Sequence, residues 1–69
     1  MKIKVNGVET HLDVTKKVIS LSGTLDLLGY KPNTVVVELN RTIVNSESLA
    51  SQSIQEGDNI EIVSIVGGG

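Results

Sequence analysis

Apolar and polar positions alternate from the first residue. Met1, Ile3 and Val5 carry the apolar side chains of one run, and Val8 and Leu12 those of a second. Between the runs stands Asn6-Gly7, the strongest short-range signal for a two-residue hairpin turn. With Asn6 and Gly7 as that turn, Val5 faces Val8, Ile3 faces Thr10 and Met1 faces Leu12. The polar face then sets Lys4 against Glu9 and Lys2 against His11, so the register gains an opposite-charge cross-strand pair. A slip of one residue would send every one of these side chains to the wrong face.

The period changes after Val14. Leu21, Leu25 and Leu28 recur at helical spacing behind Ser20, a favoured N-cap residue. Gly29 stands where a helix C′ residue belongs, with Pro32 shortly beyond, and together they predict a short helix over roughly residues 20–28. Gly23 weakens it by up to about 1 kcal/mol relative to alanine. Val14 to Ile19 reads equally as strand, loop or an early helical turn. Thr34-Val35-Val36-Val37-Glu38-Leu39 is a strand with Val35, Val37 and Leu39 on one face. Asn40-Arg41 is a turn and Thr42-Ile43-Val44 a brief strand. Asn45 to Ala50 suffices for one helical turn, Glu56-Gly57-Asp58 is a turn, and Asn59 to Val66 is the last strand.

This order specifies an α+β domain: one mixed sheet of four to five strands with one main helix packed on one face. The last strand most simply pairs parallel to the first, in the sheet centre. The helix stripe of Leu21, Leu25 and Leu28 then buries against Ile3, Val5, Val35, Val37, Ile60 and Ile62. The arrangement resembles the ubiquitin-like β-grasp. Residues 1–66 form the β-grasp domain on this reading, and residues 67–69 a flexible C-terminal glycine tail.

Composition narrows the picture. Sixty-nine residues make a single domain with a thin core. Ten Val, seven Ile and seven Leu supply nearly all the apolar residues, and the β-branched majority favours strands. There is no cysteine, so neither a disulfide framework nor a cysteine-based metal site is available. The net charge of −2 and the single aromatic, Tyr30, argue against a nucleic-acid partner. No run approaches membrane-spanning length, and the alternation that starts at Met1 does not read as a secretory leader. The expectation is a cytoplasmic protein with no membrane partner.

The candidate chemistry lies at Gly67-Gly68-Gly69. Three glycines in succession lose much conformational freedom on ordering and should form a thread without side chains. Such a thread can enter a narrow channel of another protein, where any Cβ would clash. On this reading the α-carboxyl of Gly69 is the reactive group, and Gly67 and Gly68 give it access. An α-carboxyl titrates at about 3.3–3.7 and is a poor electrophile at neutral pH, so it needs activation by a partner. The chain has no Gly-rich phosphate loop between strand and helix and no cysteine nucleophile, which makes it a cosubstrate and not an enzyme.

Other residues read as structural. His11 stands alone, whereas metal sites gather several ligands, so no metal site is expected. Asp58 and Glu61 fit turn and surface roles, and Lys16-Lys17 a solvated loop. If Val37 and Ile62 point inward, then Val36, Val63 and Ile65 point outward on neighbouring strands near the tail. A contiguous apolar patch of this kind is a candidate partner-binding surface.

With these elements in place, the chain resembles the thiamine-biosynthesis sulfur carrier family (ThiS). The matching pieces are the Met1–Val5 strand with Asn6-Gly7, Leu25-Asp26-Leu27-Leu28-Gly29, and Val35-Val36-Val37-Glu38-Leu39-Asn40. Gly57-Asp58 and a terminal diglycine about ten residues later complete them. The resemblance implies that an adenylating, E1-like activating enzyme consumes ATP at the Gly69 carboxyl. A sulfur donor protein then yields a thiocarboxylate, which thiazole synthase uses. No cofactor is bound by the carrier itself. Two alternatives stay open: a molybdopterin-synthase small subunit, which shares the fold and the diglycine, and a non-conjugating ubiquitin-like binding module acting through Val36, Val63 and Ile65.

Overall fold

The computed structural model describes residues 1–65. Strands β1 (Lys2–Val5) and β2 (Val8–His11) form the N-terminal hairpin. Strand β3 (Val18–Ser20) leads directly into helix α1 (Leu21–Leu28). Strands β4 (Val35–Leu39) and β5 (Thr42–Val44) make a second hairpin, followed by β6 (Ser53–Gln55) and β7 (Asn59–Ser64). Single 3-10 turns occupy Pro32–Thr34 and Ser46–Ser48. The principal sheet runs β2-β1-β7-β4-β5, and β3 and β6 pair as a separate two-stranded sheet. The five-stranded mixed sheet and its one helix are the expected β-grasp, with β7 parallel to β1 at the centre.

The first hairpin has the register that the alternation predicts, Val5 opposite Val8 and Lys2 opposite His11. Met1 and Leu12 extend it: the Met1 ammonium donates to the Leu12 carbonyl at 2.9 Å and Leu12 N–H to the Met1 carbonyl at 2.7 Å. Both two-residue turns carry positive φ at each central residue, Asn6 at 52° and Gly7 at 82°, Asn40 at 50° and Arg41 at 73°. That geometry matches the right-handed twist of the flanking strands. The charged face departs from expectation in detail. Lys4 stands opposite Glu9, yet the ion pair found among the described residues is the diagonal Lys2–Glu9 at 4.0 Å, between two solvated side chains. Val8, which the alternation places on the apolar face, is 64% exposed, because it sits at the tip of the edge hairpin.

Helix α1 starts and stops at the sequence signals. The Ser20 hydroxyl accepts from Gly23 N–H at 3.0 Å, and Leu21 and Ser22 donate their N–H groups to the Gln52 and Leu49 carbonyls. Gly29, at φ 87°, closes the C-terminus, with Tyr30 N–H reaching back to the Leu25 carbonyl at 2.9 Å. The paired αL residue and back-reaching N–H satisfy carbonyls that the helix end would otherwise leave open.

The core holds Ile3, Leu21, Leu25, Val35, Val37, Ile60 and Ile62, as the layer argument requires. Val5 and Leu28 are only half-buried and pack at its margin. Leu12, Leu49 and Ile54 are buried as well, the last two brought in by the segment that lies under the helix N-terminus. The ambiguous stretch Val14–Ile19 resolves as a loop followed by β3, whose register pairs Ile19 with Ile54. The β3–β6 pairing, which no local pattern announces, forms the floor of that segment. No helix among the described residues is long and apolar enough to cross a membrane.

Candidate functional site

Two strands set the site. In the β4–β7 pairing Val36 lies directly opposite Val63, while their neighbours Val37 and Ile62 are 1% and 6% exposed in the core. Val36 and Val63 therefore share the outer sheet face, away from α1. Val36 is half-buried; Val63 and Ile65 are 58% and 56% exposed. Ile65 continues the line of β7, its N–H donating to the Thr34 carbonyl at 3.0 Å just before β4 begins. The three residues predicted as an outward patch do come together.

A fourth apolar side chain adjoins them. Ile43, 63% exposed, lies opposite Glu38 on β5 and so diagonally from Val36 on the same face. Its facing was readable from the two-residue Asn40-Arg41 turn, which fixes Leu39 opposite Thr42 and hence Glu38 opposite Ile43. The next outward pair along β4 and β7 is Glu38 with Glu61, two carboxylates in direct register. Beyond them the face becomes charged and mixed, with Lys4 opposite both Glu9 and Asn59.

Strand β7 is held against β1 beyond the end of the regular ladder. Asn6 N–H donates to the Ile60 carbonyl at 2.8 Å, and its side-chain Oδ1 accepts from Ile62 N–H at 2.7 Å. At the other end of β7 the turn docks on β1 through Gly57 N–H to the Lys2 carbonyl at 2.8 Å and Lys4 N–H to the Asp58 carbonyl at 3.0 Å. Glu56 caps the Lys2 N–H at 2.9 Å. Asp58 has the turn role expected of it, accepting from Gln55 N–H at 2.9 Å and from the Asn40 amide at 3.2 Å. His11 and Lys16-Lys17 are solvent-exposed. Among the described residues no three His, Cys, Asp or Glu side chains gather to hold a metal. Gly67, Gly68 and Gly69, the residues assigned to the reactive tail, lie outside the described residues.

Comparison with known proteins places this geometry. The ThiS family model matches residues 3–69. The chain belongs to the ThiS family. The crystal structure of the thiamine biosynthesis protein (ThiS) from Geobacter metallireducens superimposes with a TM-score of 0.84 at 27% identity, all of each chain being covered. The solution structure of a thiamine biosynthesis protein from the same organism gives 0.81 at 27% identity, over all of this chain and 88% of that one.

Two sequence relatives of this ThiS-family chain are much longer proteins. All 69 residues align at 38% identity with a thiazole synthase of Paramagnetospirillum magneticum and at 36% with one of Magnetococcus marinus. The chain spans only 20% of the length of either. An uncharacterized protein, ycf40, of Trieres chinensis is 35% identical over 65 residues, which are 94% of this chain and 85% of that one.

Proposed function

We propose that this chain is the sulfur carrier for thiazole formation in thiamine biosynthesis, and that it acts in the cytoplasm as a cosubstrate of other enzymes. An E1-like activating enzyme binds the outer sheet face at Val36, Val63 and Ile65 and takes the tail. One oxygen of the Gly69 carboxylate attacks the α-phosphorus of ATP and pyrophosphate leaves, giving an acyl adenylate. The outer sulfur of a persulfide on the donor protein attacks the carbonyl carbon and AMP departs, giving an acyl disulfide. A second thiol then attacks the donor's sulfur, the S–S bond breaks, and a thiocarboxylate and a new disulfide remain. Thiazole synthase then takes the sulfur. ATP is consumed by the partner, and the carrier binds no cofactor of its own.

The observation that carries this reading is the family match through residue 69, which takes in the terminal glycines. Alignment of the whole chain within proteins named thiazole synthase supports the choice of client. Geometry is compatible with it. Gly69 lies four residue steps beyond Ile65, a reach of at most about 14 Å. An enzyme that works on the Gly69 carboxyl therefore lies within that distance of Ile65, at one end of the Val36–Val63–Ile65 patch. Glycine at 67 and 68 leaves the approach free of Cβ atoms, and misplacement of about 1 Å at a reacting centre costs on the order of a hundredfold in rate.

Intact mass spectrometry tests the proposal. Incubation with the cognate activating enzyme, ATP and a sulfur donor should replace one oxygen of Gly69 by sulfur. The product should then support thiazole formation by the thiazole synthase of the same organism. A chain blocked as the C-terminal amide, or lacking Gly68-Gly69, should do neither. Absence of the exchange in the native chain with a competent activating enzyme would overturn the reading. Transfer to a molybdopterin synthase in place of thiazole synthase would keep the chemistry and change the client.

A further inference from the structure

We propose that Glu38 and Glu61 are a recognition pair, neutralised by an arginine or lysine side chain of the activating enzyme when it covers the outer sheet face. The identity of that partner rests on the sulfur-carrier reading above; the chemistry it must present rests on the sheet itself.

Glu38 and Glu61 occupy directly opposed positions of the antiparallel β4–β7 pair. Like charges so placed destabilise a sheet. Neither carboxylate accepts a hydrogen bond or forms an ion pair among the described residues. The nearest outward cation in register is Lys4, opposite Asn59 on β7 and one outward position removed from Glu61, and it makes no ion pair with it. Glu38 is flanked on its other side by exposed Ile43. The fold thus carries two adjacent carboxylates, with no ion pair or hydrogen bond among the described residues, at the border between the apolar patch and the charged part of the outer face.

The pair lies within the footprint of any partner that engages the patch. It is two residues along β4 and β7 from Val36–Val63, a distance of about 7 Å. A standard interface covers about 800 Å² per partner, equivalent to a disc of roughly 16 Å radius. Docking centred on Val36–Val63 therefore desolvates Glu38 and Glu61 together with Ile43. Carboxylates removed from water without a counter-charge strongly oppose association. An arginine, whose planar fork can serve both carboxylates, is the side chain best matched to the pair. The apolar patch supplies contact area, and the acidic pair decides which apolar surface is accepted.

Titration of the cognate activating enzyme with the full chain tests this, comparing wild type with Glu38→Gln/Glu61→Gln at low and at high salt. The glutamines preserve shape and remove the charges. Wild type should bind at least tenfold more tightly at low salt, and the gap should narrow at high salt as the charges are screened. The free variant should melt at the same temperature as wild type or higher, since it is relieved of the repulsion. Equal or tighter binding by the variant overturns the proposal, and so does a lower melting temperature, which would make the pair structural. Failure of wild type itself to bind would instead overturn the sulfur-carrier reading, and this assignment with it.

Discussion

The carboxamide of Asn6 holds both backbone groups of Ile62: Oδ1 accepts its N–H at 2.7 Å, and Nδ2 donates to its carbonyl at 3.2 Å. In the parallel β1–β7 ladder the acceptor for Ile62 N–H should be the main-chain carbonyl of residue 6. That carbonyl is turned away, because Asn6 has φ 52° and has entered the hairpin turn. The side chain substitutes for it and continues the ladder one step past the end of β1. Replacing Asn6 by glycine tests this without straining the turn, since glycine accepts positive φ freely. The loss should be about 1–3 kcal/mol, read as a lower urea midpoint at unchanged m-value, with faster hydrogen exchange at the Ile62 amide.

That bond marks the boundary of what the sequence makes legible. Asn6-Gly7 announces a hairpin because the signal is local, and the first hairpin, the helix with its Ser20 and Gly29 ends, and the parallel central pair all follow from local pattern and layer packing. The second role of Asn6 depends on a residue 56 positions away and leaves no local trace. The same reason hid β3 and β6: each has three residues, Val18 pairs with Gln55 across 36 intervening positions, and Ile54 is one apolar residue between Ser53 and Gln55. Within the candidate site, strand parity alone located Val36, Val63 and Ile65. The facing of Ile43 follows from the two-residue Asn40-Arg41 turn, whereas the Glu38–Glu61 opposition needed the β4–β7 register, which parity within one strand does not supply.

At the start of α1 two helix-favouring choices compete. Alanine at position 23 would gain up to about 1 kcal/mol in propensity, but its Cβ would lie 3.0 Å from the Ser20 hydroxyl that caps the Gly23 N–H. Gly23→Ala alone should therefore change stability by less than about 0.5 kcal/mol. Ser20→Ala should cost about 1 kcal/mol. In the Ser20→Ala background the conflict is gone, and Gly23→Ala should recover most of its propensity gain. A double-mutant cycle by chemical denaturation reads the coupling; additive effects would show that the cap and the glycine are independent.

Arg41 occupies a left-handed position at φ 73° in the two-residue turn between β4 and β5. A side chain there costs about 1–2 kcal/mol, more than the extra chain entropy of glycine removes. Arg41→Gly gives the Asn-Gly pair that this turn type prefers. It should stabilise the domain by about 0.5–1 kcal/mol, raising the thermal midpoint while leaving the Leu39–Thr42 register intact.

The outer face and the core should respond in opposite ways to substitution. Ile62 is buried, and Ile62→Ala should cost about 2–5 kcal/mol, a large fraction of the stability of so small a domain. Val63, the next residue, is more than half exposed, so Val63→Lys should cost no more than about 1 kcal/mol. The lysine nonetheless stands in the middle of the proposed docking patch, opposite Val36 and beside the acidic pair, where it would both deny apolar contact and meet the partner's cation. Thiocarboxylate formation on Val63→Lys should fall about tenfold or more in kcat/KM, although Gly69 itself is unchanged. Thermal unfolding together with single-turnover mass spectrometry separates the two effects. A folded Val63→Lys variant converted at the wild-type rate would show that the tail alone is recognised, and that the sheet face plays no part in delivering it.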